Sequence, residues 1–369
     1  MTEFAKRVTS IDVSGIRKMF EAAGPDAINM GLGQPDFDTP ENIKEAAVRA
    51  IREGKTGYTA NAGIPELREA VAEKLQRENG FSCSMENVLI TVGGSGALHA
   101  AVASLIEEGD KLVFNNPGFV SYGALAVLYG GVPDPVALKP DLHLDVEALK
   151  EHFSDKKTKV MILNSPANPT GMVETPETIK AVVESAADYG VTIISDEVYE
   201  KFCYGDVKFV SAATFGDNVI TVNATSKTYA MTGWRIGFMA GNKDIINQAV
   251  KVQQYAAACP TSIAQYAALE AYTGDQSSVS RMKQEYEARR NLLVGGLNDL
   301  GFEIAMPDGA FYAFPRMDAD TVAKIVASDV IITPGTAFGS MGAGHARFSY
   351  AASQENIKEA LRRIEKVVN

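Results

Sequence analysis

The stretch Ser226-Lys-Thr-Tyr-Ala-Met-Thr-Gly-Trp-Arg-Ile-Gly237 decides how this chain is interpreted. Lys227 lies between the apolar segment Val219-Ile-Thr-Val222 and a strand-like stretch after Gly233. A lysine between two buried segments is expected to have a lowered pKa, so that its neutral amine is available as a nucleophile and base. Arg235 follows eight residues later and carries the fork-shaped group that binds phosphate.

Two upstream stretches supply groups that suit an aromatic ring ligand, namely Asn164-Ser-Pro-Ala-Asn-Pro-Thr-Gly171 and Ser195-Asp-Glu-Val-Tyr-Glu200. Asp196 ends an apolar strand, where a carboxylate needs a partner such as a protonated ring nitrogen. Asn168 and Tyr199 can each donate to a ring oxygen. Taken alone, turn chemistry explains Asn168, a cap explains Asp196 and core packing explains Tyr199.

Three further features complete the pattern. Gly93-Gly-Ser-Gly-Ala97 follows a strand and opens a helix, where backbone N–H groups can hold a phosphate, although a tight turn is the simpler reading. Phe119 can stack on a ring, and Arg347 can bind a substrate carboxylate. An aldehyde-reactive lysine, an acid for a ring nitrogen and phosphate contacts together indicate pyridoxal phosphate (PLP), and with it chemistry on amino acids.

Bulk properties exclude several classes of protein. The net charge of −11 disfavours a nucleic-acid binder, which would show basic patches. Cys83, Cys203 and Cys259 are odd in number and lack C-x-x-C spacing, which favours reduced thiols in a cytoplasmic protein and no metal site. No apolar run reaches the length of a membrane span, and no signal peptide is recognised at the first residues. No strand-turn-helix carries the GxGxxG of a nicotinamide enzyme.

Apolar periodicity predicts an α/β fold. Short apolar strands alternate with amphipathic helices, which is typical of a mostly parallel sheet covered on both faces. The clearest helix is predicted over Pro176–Tyr189, with Thr175 as its cap and Gly190 after its end. Strands are predicted at Val88–Val92, Lys111–Phe114, Lys159–Leu163, Val191–Ser195 and Val219–Val222.

The last third of the chain changes character and predicts a second, smaller α+β domain. It contains a long charged helix at Arg281–Leu300, short strands at Ala310–Phe314 and Val330–Thr333, and a closing helix at Gln354–Val368. We expect an N-terminal segment, 1–38, that packs with this small domain. The large domain is expected over 39–275 and the small C-terminal domain over 276–369.

In the order of these motifs the chain resembles the class I/II aminotransferases of PLP fold type I, in the branch with aspartate and aromatic aminotransferases. The similarity runs from Gly31-Leu-Gly-Gln-Pro-Asp-Phe-Asp-Thr-Pro40 to Arg347-Phe-Ser-Tyr-Ala351, and its most specific parts are SK…GWRIG and DEVYE. The resemblance implies a large domain with a mostly parallel seven-stranded sheet between helices, and a smaller α+β domain from the two chain ends.

The resemblance also implies residue roles. Lys227 would bind the cofactor covalently and move protons, Asp196 would hold the ring nitrogen, and Phe119 would stack on the ring. Asn168 and Tyr199 would hold the ring oxygen. Phosphate contacts would come from Gly94, Ser95, Gly96, Ser226 and Arg235. The substrate carboxylate would meet Arg347, Asn168 and the backbone of Gly33. Tyr58 would reach the phosphate of the partner subunit in a homodimer, and cis peptides are expected at Ser165-Pro166 and Asn168-Pro169.

The function so implied is transfer of an amino group between an L-amino acid and a 2-oxo acid, with 2-oxoglutarate as the expected acceptor, by a ping-pong route. Aspartate, aromatic and broad donor specificities all remain open. Some aspartate-using relatives carry a lysine where this chain has Ser95, which weakens a strict aspartate assignment. The alternative within PLP enzymes is a C–S β-lyase, which would use the same lysine to eliminate a leaving group.

Overall fold

The structure, a computed structural model, describes residues 3–12, 24 and 26–368. Its strands are β1 (Ile28–Asn29), β2 (Val88–Val92), β3 (Lys111–Asn116), β4 (Val132–Ala137), β5 (Thr158–Asn164), β6 (Thr192–Asp196), β7 (Val219–Ala224), β8 (Ile236–Ala240), β9 (Tyr312–Ala313), β10 (Val330–Ile331), β11 (Thr333–Pro334) and β12 (Ala346–Ser349). Its α-helices are α1 (Lys6–Thr9), α2 (Glu41–Arg52), α3 (Pro65–Lys74), α4 (Gly93–Leu105), α5 (Ser121–Leu128), α6 (Val146–Phe153), α7 (Pro176–Asp188), α8 (Thr225–Thr228), α9 (Lys243–Ala257), α10 (Ser262–Thr273), α11 (Ser277–Asp299), α12 (Ala319–Ala327) and α13 (Gln354–Val368).

A seven-stranded sheet forms the centre of the large part of the chain. Its strand order is β2-β8-β7-β6-β5-β3-β4, and only β8 runs antiparallel to its neighbours. Alternate side chains of β5 enter two separate cores, with Val160 and Ile162 on one face and Met161 and Leu163 on the other. Both faces are therefore covered, and the predicted mostly parallel sheet is confirmed.

The local predictions are confirmed for most elements. Each of the five predicted strands is present, and α7 begins at Pro176, where the Thr175 side chain accepts a hydrogen bond from the Thr178 amide at 3.1 Å. Strand β4 was not predicted, because Pro133 and Pro135 interrupt it. Proline is tolerated there because β4 is an edge strand that pairs only with β3.

Two small sheets lie against the helices of the C-terminal third. One has the antiparallel order β11-β12-β9, and in the other β1 pairs in parallel with β10. The pairing of β1 with β10 supports the prediction that the N-terminal segment packs with the small domain. Residues 1–2, 13–23 and 25 of that segment lie outside the described residues, and the division 1–38, 39–275 and 276–369 stays a prediction.

Helix α11 begins four residues earlier than predicted, at Ser277, whose amide donates to the Asp275 carboxylate at 3.0 Å. The predicted cis peptides at Ser165-Pro166 and Asn168-Pro169 are confirmed, and Asn116-Pro117 is also cis. None of the helices in the described ranges is long and apolar enough to cross a membrane.

Candidate active site

A cavity of about 310 Å³ lies at the carboxyl edge of the central sheet, where β5, β6 and β7 end and α4 begins. This is the edge at which ligands bind in open α/β sheets. Most of the predicted site residues line it, although they come from seven separate segments of the chain. They are Gly33, Gly94, Ser95, Phe119, Asn168, Asp196, Tyr199, Ser226, Lys227, Arg235 and Arg347.

Two predicted residues do not line this cavity. Gly96 lies in the first turn of α4 and faces β2, where an added β-carbon would be 3.4 Å from Val92 Cβ. Any contact of Gly96 with a phosphate would therefore use its backbone N–H. The side chain of Tyr58 is 92% exposed, and its predicted role requires a second subunit.

Lys227 lies in the short helix α8, directly after β7, and its Nζ donates to the carbonyl oxygen of Gly33 at 2.6 Å. Burial, together with the nearby guanidinium groups of Arg347 and Arg235, lowers the pKa of Lys227 to about 8. The lowered pKa predicted from the sequence is confirmed. A substantial fraction of this lysine is neutral near pH 8, as a nucleophile and base requires.

Asp196 is the last residue of β6 and is 5% exposed. Burial raises the pKa of Asp196 to about 6, against the effect of the Tyr122 hydroxyl, which donates to Oδ2 at 2.9 Å. Asn164 Nδ2 donates to the Asp196 carbonyl at 2.9 Å, and Asn164 Oδ1 accepts from the Asn168 amide at 2.8 Å. Asn164, the last residue of β5, is therefore hydrogen-bonded to the last residue of β6 and to the segment that contains Asn168.

Tyr122 was not singled out from the sequence, although it lies three residues after Phe119. Its ring is fully buried in the first turn of α5, edge-on to Phe119 with ring centroids 5.6 Å apart. Its sequence neighbourhood is typical of an ordinary core aromatic residue. The hydrogen bond from its hydroxyl to Asp196 joins the first turn of α5 to the end of β6, which lies 74 residues further along the chain.

Removing the Tyr122 hydroxyl is expected to shift the pH dependence of catalysis. Because this hydroxyl lowers the pKa of Asp196, Tyr122→Phe should raise that pKa, and ionised Asp196 should be lost at a higher pH. A hydrogen bond to a charged group contributes about 1.5–3 kcal/mol, which corresponds to a shift of about one pH unit or more. The acid limb of the kcat/KM profile should move upward by that amount.

The control for this experiment is Tyr129→Phe. The Tyr129 hydroxyl lies 3.0 Å from His99 Nδ1 and does not line the cavity. Its removal should leave the profile where it was. An acid limb that stays in place in Tyr122→Phe would contradict the role given to Tyr122.

Tyr199 and Tyr312 form a hydroxyl pair, with their oxygens 2.8 Å apart. Tyr312 lies on β9 of the small sheet and was also missed, because nothing in its local sequence indicates that it faces Tyr199. A β-carbon at Gly33 would overlap the Tyr312 hydroxyl, so this close approach requires glycine. The hydroxyl of Tyr199 would therefore hydrogen-bond both to the predicted ring oxygen and to the hydroxyl of Tyr312.

Arg347 is 1% exposed and lies between two aromatic rings, 4.4 Å from the centroid of Tyr312 and 4.6 Å from that of Phe338. Nη1 donates to Asn168 Oδ1 at 2.8 Å and Nη2 to the Gly31 carbonyl at 2.5 Å. Its Nε finds no acceptor among the described residues. A fixed, planar and buried cation of this kind suits a carboxylate ligand.

The start of α4 and the guanidinium of Arg235 lie close together in the cavity. Arg235 has a positive φ of 56° and donates from Nη1 to the Thr232 carbonyl at 2.9 Å. A β-carbon at Gly93 would lie 2.5 Å from Arg235 Nη2, so glycine there allows the guanidinium to approach the helix. The first N–H groups of α4 have no acceptor within the helix. With Arg235 they suit a phosphate.

These groups fit PLP one by one: a low-pKa lysine for the aldehyde, the Asp196 carboxylate as acceptor for the ring nitrogen, and Arg235 with the α4 amides as donors to the phosphate. The buried guanidinium of Arg347 would suit the carboxylate of an amino acid. The fold and cavity thus define a PLP enzyme that acts on amino acids.

The comparison with known proteins agrees. The profile of the family described as Aminotransferase class I and II matches residues 25–364, and the chain belongs to this family. It is 45% identical to a probable aspartate aminotransferase of Methanocaldococcus jannaschii, over 97% of each chain. It is 40% identical to aromatic-amino-acid aminotransferase 2 of Thermococcus litoralis, over 98% of this chain and 97% of the other. The structure of aspartate aminotransferase from Thermus thermophilus with maleate superposes with a TM-score of 0.95, at 36% identity, over all of both chains.

The chain is therefore a PLP-dependent aminotransferase of fold type I, which moves an amino group between an amino acid and a 2-oxo acid. The fold class, cofactor and reaction predicted from the sequence are confirmed.

Proposed function

We propose that this aminotransferase takes the amino group from aspartate or an aromatic amino acid and passes it to 2-oxoglutarate, in the two half-reactions of a ping-pong sequence. The observation that carries the proposal is the meeting of Lys227, Asp196, Arg235 and Arg347 in one cavity. The relatives named aspartate and aromatic aminotransferases support both donor classes.

Each residue around the cavity would have a separate role in this reaction. When bound, PLP supplies an electron-accepting ring that makes the α-proton of an amino acid acidic. Asp196 keeps a carboxylate directed at the ring nitrogen, and Arg347 binds the α-carboxylate and so orients the α-proton. Lys227 Nζ, once released from the cofactor, would take this proton and return it to the carbon that was the cofactor's aldehyde carbon. Arg235 and the amides of Gly94 and Ser95 hold the phosphate.

The donor side chain would lie against a mixed surface. Among the described residues that line the cavity, the cations are Lys227, Arg235 and Arg347, and the remaining wall includes Leu32 and Leu98. We therefore propose that an aromatic side chain packs against the apolar wall. A second carboxylate, as in aspartate, would be met by uncharged donors such as Gln34 and Ser95, or by the partner subunit.

The visible absorption spectrum of the holoenzyme tests the proposal directly. Adding aspartate, glutamate or an aromatic amino acid should convert the yellow band to the pyridoxamine form, and 2-oxoglutarate should restore it. Rates across a panel of donors then rank the substrates. A band that is never converted, with pyruvate released from cystathionine in the absence of a 2-oxo acid, would instead identify a C–S β-lyase.

We also propose that the enzyme is a cytoplasmic homodimer in which Tyr58 of each subunit reaches the partner's phosphate. Support comes from the exposure of Tyr58 in a loop that is held in place, since Ser262 Oγ hydrogen-bonds to the Gly57 carbonyl. Mixed dimers of Lys227→Ala and Tyr58→Ala subunits would contain one intact site if Tyr58 acts across the interface. Recovery of activity on mixing would support the proposal, and no recovery in proven mixed dimers would refute it.

A further inference from the structure

The segment Asp196–Glu200 carries two carboxylates that the reaction does not use. Asp196, Val198 and Tyr199 line the cavity, whereas Glu197 and Glu200 are absent from its wall. Glu197 is 1% exposed and Glu200 is 8% exposed. The turn therefore presents its reactive groups to the cavity and buries two acids elsewhere.

Glu197 is held by several donors. Its Oε1 accepts from Ser195 Oγ at 2.9 Å, from Ser211 Oγ at 2.8 Å and from the Ala212 amide at 3.2 Å. Burial, with the neighbouring Glu200 carboxylate, raises the pKa of Glu197 to about 7. A negative charge on Glu197 therefore carries an electrostatic cost in this position.

Glu200 is paired with a buried lysine. Its Oε1 contacts the ammonium of Lys74, which is 2% exposed, and its Oε2 accepts from Asn79 Nδ2 at 2.8 Å. Asn79 Oδ1 accepts from Lys74 Nζ at 2.7 Å, and Asn79 Nδ2 also lies 3.3 Å from Glu197 Oε2. Asn79 therefore joins the lysine to both acids.

The backbone next to Lys74 is specially shaped for these contacts. Lys74 is the last residue of α3, which continues as a single π-helical turn over Leu75–Asn79. Such turns are rare and are found frequently at functional sites. The π-turn ends at Asn79, the residue that bridges the network.

The composition of this network is poorly explained by stability alone. It buries two carboxylates with one ammonium, and replacing buried ion pairs by apolar groups of similar volume is often neutral or stabilising. The network holds Glu197 and Glu200 in place. These two residues belong to the same segment as Asp196 and Tyr199, whose side chains line the cavity. We propose that Lys74, Asn79, Glu197 and Glu200 form a positioning network that holds Asp196 and Tyr199 in the orientation that the bound cofactor requires. The inference rests on the roles proposed above for Asp196 and Tyr199.

The test replaces the ion pair without leaving a cavity. Lys74→Met/Glu200→Met removes both charges and the hydrogen bonds that Lys74 and Glu200 make with Asn79, while refilling the volume. We expect a folded protein with a visible cofactor band and a somewhat lower Tm, because the buried amide of Asn79 loses its partners. The pH at which this band titrates should shift, and kcat should fall by about tenfold, since small misplacements can lower rates by up to ~10²-fold.

The matched control makes the same substitutions at an exposed pair. Lys180→Met/Glu184→Met changes an i,i+4 pair on α7 whose side chains are more than half exposed, with Nζ and Oε1 3.7 Å apart. Band titration and kcat should stay at their parental values in this control. A loss there would show that charge removal in general, and not the network, is responsible.

A Lys74→Met/Glu200→Met protein that folds, binds PLP, and keeps the parental band titration and kcat would overturn the proposal. If this variant does not fold, Glu200→Gln replaces it, because glutamine keeps the shape of the side chain and one oxygen acceptor. The pH titration of the cofactor band and kcat are then measured on Glu200→Gln, and parental values for both would overturn the proposal. Failure of the proposed function is recognised separately, because the unsubstituted protein would then show no band that responds to amino acids.

Discussion

Replacing Lys227 by alanine is expected to reduce amino-group transfer by ~10⁴-fold or more, because one substitution removes both the covalent attachment of the cofactor and the base for the α-proton. Among the described residues that line the cavity, the other cations are the guanidinium groups of Arg235 and Arg347, which do not lose their protons and so cannot replace this base. Single-turnover spectra with an amino donor are the measurement. Substantial residual transfer would refute the role given to Lys227.

The same substitution has a predictable effect on stability. The pKa of Lys227 falls from 10.5 to about 8 in the folded protein, mainly through burial. The folded state therefore binds fewer protons than the unfolded state between these values, and stability is lost as the pH falls from 10.5 through 8. Cofactor-free Lys227→Met should thus gain stability over the cofactor-free parent, by up to ~3 kcal/mol at pH 7, and the gain should shrink above pH 10.

Thermal or urea unfolding of both cofactor-free proteins at several pH values measures this gain. Lys180→Met is the control, because Lys180 is exposed and its replacement should leave the pH dependence unchanged. A Lys227→Met protein that is less stable than the parent at pH 7 would show that Lys227 is held as a favourable ion pair and not as a lysine with a lowered pKa.

The sequence predicted those site residues whose position depends on their immediate neighbours. Asp196 ends an apolar strand, Lys227 follows the next one, and Gly94 lies at the start of the helix after another, so parallel strand order alone brings them to one edge of the sheet. Their chemical types then indicate the cofactor. The same reasoning predicted the sheet and α7, in which local periodicity and capping agree with the fold.

The sequence did not predict contacts that arise between elements distant in the chain. Tyr122 reaches Asp196 across 74 residues, Tyr312 reaches Tyr199 across 113, and Lys74 reaches Glu200 across 126. In each case the local pattern is that of a core aromatic residue or an ordinary helical lysine. Which way the side chain points is set by how helices and the small sheet pack on the central sheet, and that packing has no local signature.

Arg347→Gln is expected to lower kcat/KM for amino acids by about 10²- to 10³-fold, because truncating one partner of a buried charge pair costs about 2–5 kcal/mol. The loss should appear with every donor, since all share the α-carboxylate. Donors without that group, such as the amines formed from amino acids by decarboxylation, should be little affected. The variant should therefore lose most of its preference for an amino acid over the matching amine, while the cofactor band remains.

Arg290→Gln is the matched control for this loss. Arg290 is also buried, at 9% exposure, with its guanidinium 4.8 Å from the Tyr204 ring and Nη1 3.0 Å from the Pro307 carbonyl, but it does not line the cavity. Its replacement should lower Tm and leave the preference for amino acids over amines intact. If Arg347→Gln behaved in the same way, with lower Tm and unchanged preference, Arg347 would be a packing residue, and the substrate carboxylate would have to bind elsewhere in the cavity.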